Sequence, residues 1–212
     1  MNYKNILKTE FFKNTYLWIE NDKKNFAVDH SFKHIYHVIE YAKVLARLFN
    51  LNKKETNLLL ISAALHDVGY IKGRENHAEN GAEIVKEFLT QQKMNEADIE
   101  KIYHAIYYHG GKDVKLFESE ISLLLVIADK IDYAKDRYNE SKEIHEDIEL
   151  YRQVNKNELE KLGNKLIIHS YITKNFRQDL LKDNYFYNKL TNFLQFVEKN
   201  TKLKISINFI TK

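Results

Sequence analysis

The chain has 212 residues, of which 44% are hydrophobic and 30% charged, and its 33 Lys and Arg against 30 Asp and Glu leave a formal charge of +3. This length predicts one compact domain over residues 1–212. The balanced charge neither demands nor excludes a nucleic-acid partner, and we predict that the protein has no such partner. The absence of cysteine excludes disulfides, thiolate metal sites and a cysteine nucleophile.

No segment of the sequence resembles a membrane anchor. The N-terminal stretch lacks a continuous apolar core, and the longest apolar runs, near residues 58–61 and 123–128, are too short to span a bilayer. We therefore expect a cytoplasmic protein with no membrane partner.

Apolar residues recur at intervals of three and four along almost the whole chain, which contains no proline and few glycines. This pattern predicts an all-α fold. The predicted helices are 4–20, 30–50, 54–67, 77–91, 96–109, 119–137, 142–153, 157–182 and 185–200. Only residues 203–209 alternate as a short C-terminal strand would, and its partner could lie in another subunit of a homo-oligomer.

The predicted helix 30–50 carries an apolar stripe with a histidine on its margin. Because His34 lies one turn before Val38 in this stripe, its side chain should point toward the interior or a cleft. His30 and His37 lie on roughly the same side of the helix as His34, so the three imidazoles could line the opening of one cleft. Of the three, His34 is the best placed to be a deep ligand.

The predicted helix 54–67 is apolar on nearly all sides until His66 and Asp67, and we expect Gly69 to end it as a C-cap. An unpaired buried Asp67 would cost on the order of several kcal/mol in desolvation, whereas a divalent cation would satisfy both its charge and the His66 imidazole. Adjacent helical side chains diverge by about a quarter turn, so both reach one ion only where the backbone bends. Gly69 offers that bend.

Other candidate ligands follow at the ends of later helices. His77 opens a predicted helix, His109 precedes a pair of glycines, and Asp129 ends an apolar run. His104 and His109 are five positions apart and differ by about 140° on a regular helix, so they need not serve one ion.

Taken singly, each candidate has an ordinary alternative. A histidine at an apolar margin is more often a hydrogen-bonded core residue, and an aspartate at a helix end is usually a cap or an ion-pair partner. As an ordered set on separate helices, however, these residues allow convergence on one metal site.

Three segments carry a resemblance to a known family. “HIYHVIEYA”, “AALHDVGY” and “VIADKID” resemble the motifs of the HD-domain superfamily of metal-dependent phosphohydrolases over about residues 26–137. The resemblance implies an HD-domain helical bundle, and it does not extend to the C-terminal region of about 138–212, where further helices are predicted from apolar spacing alone. It also implies four ligands of a primary metal, which are His34, His66, Asp67 and Asp129.

Two further segments, “HAENGAEIV” and “AIYYHGG”, resemble the extra histidines of binuclear branches, including bacterial HD-type diadenosine tetraphosphate hydrolases. This resemblance implies that His77 and His109 hold a second metal, with Asp67 bridging the two ions. His104 also matches an “IxHAIxxH” pattern of small HD phosphohydrolases and stays a candidate ligand. The Gly-Tyr-Pro element of cyclic-di-GMP phosphodiesterases is absent.

The predicted function is therefore a metal-dependent phosphohydrolase that acts on a nucleotide or another small phosphorylated substrate through a metal-activated water. Its cofactor would be one or two divalent ions of Mn, Fe, Zn, Co, Ni or Mg. Asp67 and Lys130 are the predicted catalytic residues, and Lys130, Arg137 and Arg74 are predicted to bind phosphate; the alternative for these cations is an ordinary solvated side chain. Two other functions stay open, a di-iron HD-type oxygenase and a non-catalytic module that binds metal or nucleotide.

Overall fold

The computed structural model of the chain describes residues 1–22, 28–137 and 148–211. Of these, residues 1–22 and 30–129 form one compact unit, and residues 28–29, 130–137 and 148–211 form a second. The motif core expected over about 26–137 therefore includes residues 30–129 of the first unit and residues 28–29 and 130–137 of the second. The single domain expected over 1–212 stays a prediction.

The first unit is built from helices. Two 3₁₀ turns, Val68–Lys72 and Val114–Glu118, interrupt the α-helical succession. The α-helices are α1 (Tyr3–Ile6), α2 (Glu10–Asp22), α3 (Phe32–Leu48), α4 (Lys53–Leu65), α5 (His77–Gln91), α6 (Glu96–Tyr107) and α7 (Glu120–Lys130), the last of which ends one residue beyond the unit.

Helix α4 runs through the core of the first unit. It begins with a capping box, in which the Asn52 side chain accepts from the Glu55 backbone N–H at 3.0 Å and the Glu55 carboxylate accepts from the Asn52 N–H at 3.4 Å. Residues 58–65 are all buried, and α3 and α6 pack against the helix. Because this segment is buried on every side, the residues that directly follow α4 also lie inside the protein.

The predicted helices of the first unit are largely confirmed, except that the predicted helix 4–20 is divided into α1 and α2. Helix α5 has the predicted bounds, and α3, α4 and α6 end within two residues of theirs. The predicted helix 119–137 is too long, because α7 ends at Lys130 and only a 3₁₀ turn, Lys135–Arg137, follows. Of the predicted helix 142–153, α8 (Glu149–Gln153) is present, and residues 142–147 lie outside the described residues.

The second unit contradicts the all-α prediction. Where helix 157–182 was predicted, the chain forms β1 (Val154–Leu162), β2 (Lys165–Ile172) and a 3₁₀ turn, Gln178–Leu181. Gly163 at φ 59° and Asn164 make a two-residue hairpin loop, a turn that periodic apolar spacing alone does not reveal. Alternate residues of β2 are buried, from Leu166 to Ile172, as expected of a half-covered strand.

The predicted C-terminal strand is confirmed as β3 (Lys204–Thr211). The order of the sheet is β1-β2-β3, with β1 antiparallel to β2 and β2 parallel to β3. The parallel pair is joined by α9 (Tyr185–Asn200), which packs on β3 as a crossover helix. The partner of β3 is therefore a strand of the same chain, and another subunit is not needed to pair it.

In the part of the chain that the structure describes, no helix combines the length and the apolar character needed to cross a membrane.

Candidate metal centre

The backbone bends at the point where α4 gives way to the His66-Asp67 pair. Helix α4 ends at Leu65, His66 keeps helical angles, and Asp67 has φ −99° and ψ 5° before the Val68–Lys72 turn begins. This break redirects the Asp67 side chain, so two adjacent residues contribute to one cluster. The bend was expected at Gly69 acting as a C-cap, and this expectation was wrong because the helix ends four residues earlier.

Gly69 has a different role, which is to allow a close approach of two backbones. A Cβ atom at this position would lie 1.9 Å from the His77 carbonyl oxygen and 2.6 Å from the Gly81 nitrogen. Any side chain at residue 69 would therefore collide with the first turn of α5. The glycine lets the turn after Asp67 pack directly against the helix that begins with His77.

The first group of ligand atoms comes from α3, the end of α4 and the end of α7. His34 Nε2 lies 3.2 Å from His66 Nε2 and 3.3 Å from Asp129 Oδ1, and His66 Nε2 lies 3.7 Å from Asp129 Oδ1. Asp67 Oδ2 lies 3.5 Å from His34 Nε2 and 3.4 Å from His66 Nε2. Donors at about 2.1 Å from a single ion are separated by roughly 3.0 to 3.4 Å, so these four side chains are close to the spacing of one coordination sphere.

The second group lies on the other side of Asp67. His109 Nε2 lies 3.6 Å from Asp67 Oδ1, and the His77 and His109 rings are 5.0 Å apart. One ligand atom from each of Asp67, His77 and His109 falls within 4.8 Å of the other two. The two carboxylate oxygens of Asp67 thus face different sets of imidazoles.

Three of the imidazoles are oriented in the same way. Nδ1 of His66 lies 3.0 Å from the Ala63 carbonyl oxygen, and Nδ1 of His77 lies 3.0 Å from that of Arg74. Nδ1 of His109 likewise lies 2.6 Å from the carbonyl oxygen of Ile106, again three residues earlier. In a neutral ring, a proton on Nδ1 that is donated to a carbonyl leaves Nε2 unprotonated. Nε2 is the nitrogen that each ring presents to the cluster, and its unprotonated form is the one that metal ions bind.

The two carboxyl groups remain ionised, although Asp67 is buried and Asp129 is only partly exposed. Burial raises the pKa of Asp67, but the charges of His66 and His30 and the hydrogen bonds with His109 and His30 lower it well below its usual value. Burial likewise raises the pKa of Asp129, and hydrogen bonds with His34 and His66 lower it well below the usual range. Both groups are therefore carboxylates at neutral pH.

The histidines of the second group have pKa values shifted in opposite directions. Burial, followed by the charge of His109, lowers the pKa of His77. Burial also lowers the pKa of His109, but the hydrogen bond and charge of Asp67 outweigh it and raise the pKa above its usual value. As the pH falls in the absence of a metal ion, His109 therefore takes up a proton before His77 does.

These observations fit a metal site. Unprotonated Nε2 atoms and ionised carboxylate oxygens are the ligand atoms that divalent transition metals prefer. Buried groups of this kind, placed this close together, are hard to satisfy without a cation. The cluster can hold a divalent ion among His34, His66, Asp129 and Asp67. Asp67, His77 and His109 offer a second position.

His104 is not brought into any of the ligand groups found among the described residues. Its Nδ1 lies 2.8 Å from the Ser122 hydroxyl, and its Nε2 lies 3.8 Å from Glu118 Oε2. His37 is likewise absent from these groups. The five-residue spacing that separates His104 from His109 thus corresponds to two different environments.

The predicted phosphate-binding cations have varied surroundings. Arg74 is exposed on the segment before α5, where its carbonyl oxygen orients His77. In the second unit, the Lys130 ammonium lies 5.3 Å from the centre of the Phe193 ring. Arg137 is buried there, where its guanidinium donates to the Asp29 carbonyl and lies 3.9 Å from Asp132. Substrate roles for these residues stay predictions.

His30 joins the cluster although it was not among the predicted ligands. Its Nδ1 lies 2.8 Å from Asp67 Oδ2, and with His34 and Asp67 it forms a third group of donor atoms. The signal in the sequence was its position four residues before His34, which places both imidazoles on one side of the chain. That signal did not show that His30 would contact Asp67, because the contact crosses between distant segments.

The family model “HD domain” matches residues 31–135. The chain is also similar to a solved structure described as a predicted HD superfamily hydrolase from an uncultured Thermotogales bacterium, with 21% identity and a TM-score of 0.48. That similarity covers 66% of this chain and 86% of the other. No curated protein matches the chain.

Proposed function

Because residues 31–135 make the chain a member of the HD-domain family, we propose that it is a metal-dependent phosphohydrolase acting on a nucleotide or another small phosphorylated substrate. In this proposal the cluster would hold two divalent ions. His34, His66 and Asp129 would hold the first ion, His77 and His109 would hold the second, and Asp67 would be a ligand of both.

The observation that carries the proposal is the division of the Asp67 carboxylate between two sets of imidazoles. Oδ2 lies within 3.5 Å of two Nε2 atoms of the first group, whereas Oδ1 lies 3.6 Å from the Nε2 of His109. A carboxylate that only oriented one ligand would not need imidazole nitrogens available for metal binding near each of its two oxygens. Paired ions about 3.5 to 4 Å apart are the usual arrangement for hydrolysis of phosphate esters.

The charge of the cluster favours an anionic substrate. Two carboxylates and neutral imidazoles offset only half of the charge of two divalent ions, so a positive charge remains for a phosphate group. Bound divalent ions lower the pKa of coordinated water toward neutrality and withdraw charge from phosphoryl oxygens.

The protein's own groups hold the candidate ligands in the orientation and ionisation state that metal binding requires. The Asp67 and Asp129 carboxylates stay ionised, and backbone carbonyls hold His66, His77 and His109 with Nε2 toward the cluster. Exposed Arg74, on the segment that leads to His77, is our candidate for binding a substrate phosphate.

The test is a panel of phosphorylated substrates combined with a panel of metals. Metal-stripped protein would be reloaded separately with Mn, Fe, Zn, Co, Ni or Mg and supplied with nucleotides, dinucleoside polyphosphates and phosphomonoesters. We expect metal-dependent release of phosphate, pyrophosphate or nucleotide, and a rate at least about 100-fold lower in Asp67→Ala, the scale of losing one group that stabilises a transition state.

The matched control is Asp183→Ala, which removes an exposed aspartate of the second unit and should leave metal content and turnover unchanged. Full metal content and full turnover in Asp67→Ala would contradict the proposed site. Oxygen consumption by iron-loaded protein without any hydrolysis would instead favour the di-iron oxygenase. Stoichiometric metal without any turnover would favour a binding module.

A further inference from the structure

His30 differs from the proposed ligands in the way its ring is held. In His66, His77 and His109, Nδ1 faces a backbone carbonyl and Nε2 faces the cluster. In His30 the arrangement is reversed, since Nδ1 lies 2.8 Å from Asp67 Oδ2 and Nε2 lies 3.1 Å from the Tyr70 hydroxyl. Both ring nitrogens thus have a hydrogen-bonding partner in the protein.

For a neutral His30 ring, one assignment of protons satisfies both contacts. If the Tyr70 hydroxyl donates to Nε2, the proton of the neutral His30 ring lies on Nδ1, which then donates to Asp67 Oδ2. Oδ2 is the oxygen that faces His34 and His66. A donor fixed at Oδ2 sets the rotation of the carboxylate, and this rotation is what presents Oδ1 to His109.

Tyr70 also contacts the other side of the second group. Its ring is buried, lies 4.2 Å from the His30 ring and stacks on the His77 ring at 4.4 Å with an interplanar angle of 25°. Tyr70 therefore connects His30 to His77. Through these contacts, the His30 and Tyr70 pair touches two of the three side chains that would hold the second ion.

We propose that His30 and Tyr70 are positioning residues for the second metal ion, which together hold Asp67 and His77 in the arrangement that this ion requires. The inference rests on the proposed function, because it assigns a role within the two-ion centre. Loss of the His30 hydrogen bond should weaken the second ion by about 10- to 100-fold, the usual effect of removing a residue that orients a ligand. The first ion keeps His34, His66 and Asp129 and should be affected much less.

The test is a Mn²⁺ titration of metal-free protein, in which both dissociation constants are determined by calorimetry and by electron paramagnetic resonance of the free ion. His30→Asn places an amide nitrogen near the position of Nδ1, whereas His30→Gln places it near that of Nε2. We expect the Asn variant to retain the second ion and the Gln and Ala variants to lose 10- to 100-fold in its affinity. Tyr70→Phe keeps the ring stack and should show a smaller loss.

His37→Ala is the matched control, because His37 lies in α3, the helix that follows His30, and outside the ligand groups of the described residues. Equal affinity for the second ion in wild type and His30→Ala would overturn the proposal, as would equal losses in the Asn and Gln variants. An equal loss of both ions in His30→Ala would also overturn it, because a ligand of the first ion would behave in that way.

Failure of the proposed function gives a different result in the same experiment. If the wild-type protein binds fewer than two ions, the two-ion phosphohydrolase is contradicted, and the positioning role with it. If the wild type binds two ions and His30→Ala does so equally well, only the positioning role is contradicted. Neither result depends on a substrate being found.

Discussion

At the scale of single residues, Asp67 and Asp129 have different roles although both are ionised and close to the same imidazoles. Asp67 presents one oxygen to each group, whereas Oδ1 of Asp129 faces His34 and His66 of the first group. We expect Asp67→Asn to weaken the binding of both ions and Asp129→Asn to weaken mainly the first. Metal content after dialysis against limiting Mn²⁺ checks this, and equal effects of the two substitutions on the second ion would contradict it.

His104 and His109 provide a second comparison between similar residues. His109 lies 3.6 Å from the Asp67 carboxylate, whereas His104 contacts Ser122 and is in none of the ligand groups. We expect His109→Ala to reduce the bound metal from two ions to one per chain, a complete loss of one site, and His104→Ala to leave two. Elemental analysis of the purified variants measures this, and loss of an ion from His104→Ala would show that His104 is a ligand.

The opposite pKa shifts of His77 and His109 predict how binding of the second ion depends on pH. His109 has a raised pKa, so it keeps its proton in the metal-free protein to a higher pH than an ordinary histidine, and an ion at Nε2 must displace that proton. His77 has a lowered pKa and therefore loses its proton at a lower pH than an ordinary histidine does. Below the raised pKa of His109, we expect binding to release up to about one proton and to weaken as the pH falls.

Calorimetry of Mn²⁺ binding in buffers of different ionisation enthalpy measures the released proton. The raised pKa of His109 also makes the stability of the metal-free protein depend on pH. The stability that it contributes is present below the unfolded pKa and is lost as the pH rises through the folded pKa. Proton release that does not change between acidic and alkaline pH would contradict the assignment to His109.

At the scale of elements, the approach of two backbones at Gly69 determines where α5 begins and thus where His77 lies. Gly69→Ala would place a methyl group 1.9 Å from the His77 carbonyl oxygen. We expect a loss of about 1 to 3 kcal/mol in the free energy of unfolding. We also expect the affinity for the second ion to fall more than the affinity for the first. Chemical denaturation of the metal-free protein and a Mn²⁺ titration measure the two effects.

The control for this substitution is Gly110→Ala. Gly110 follows the proposed ligand His109, but an added Cβ there would meet no atom within 4 Å. A methyl group beside a ligand should therefore be tolerated where space is open. If both alanine variants were equally stable and bound two ions equally well, the close approach at Gly69 would not position His77.

The sequence predicted the helical elements better than the sheet for a physical reason. Apolar spacing of three and four residues reports a buried helical face, and it located α3 to α6 well. The β1–β2 hairpin depends on the two-residue turn at Gly163 and Asn164 and on the alternation in β2, which a reading based on helical spacing passed over. Local pattern also failed at Gly69, because its role is a contact with α5.

At the scale of the whole molecule, the candidate ligands are spread from residue 34 to residue 129, and the first unit brings them together. The buried helix α4 delivers His66 and Asp67 to the interior, and α3, α5, α6 and α7 contribute the remaining side chains at or near their ends. The residue types and their order were enough to predict this convergence. The division of the Asp67 oxygens and the His30 and Tyr70 contacts required coordinates, since they depend on side-chain rotations.

The most direct test of the central claim is anomalous diffraction from crystals of the Mn²⁺-loaded protein, recorded on both sides of the manganese absorption edge. We predict two anomalous peaks about 3.5 to 4 Å apart, one among His34, His66 and Asp129 and one beside His77 and His109, with Asp67 bound to both. A single peak that leaves His77 and His109 unbound, or ions bound away from Asp67, would contradict the two-ion centre.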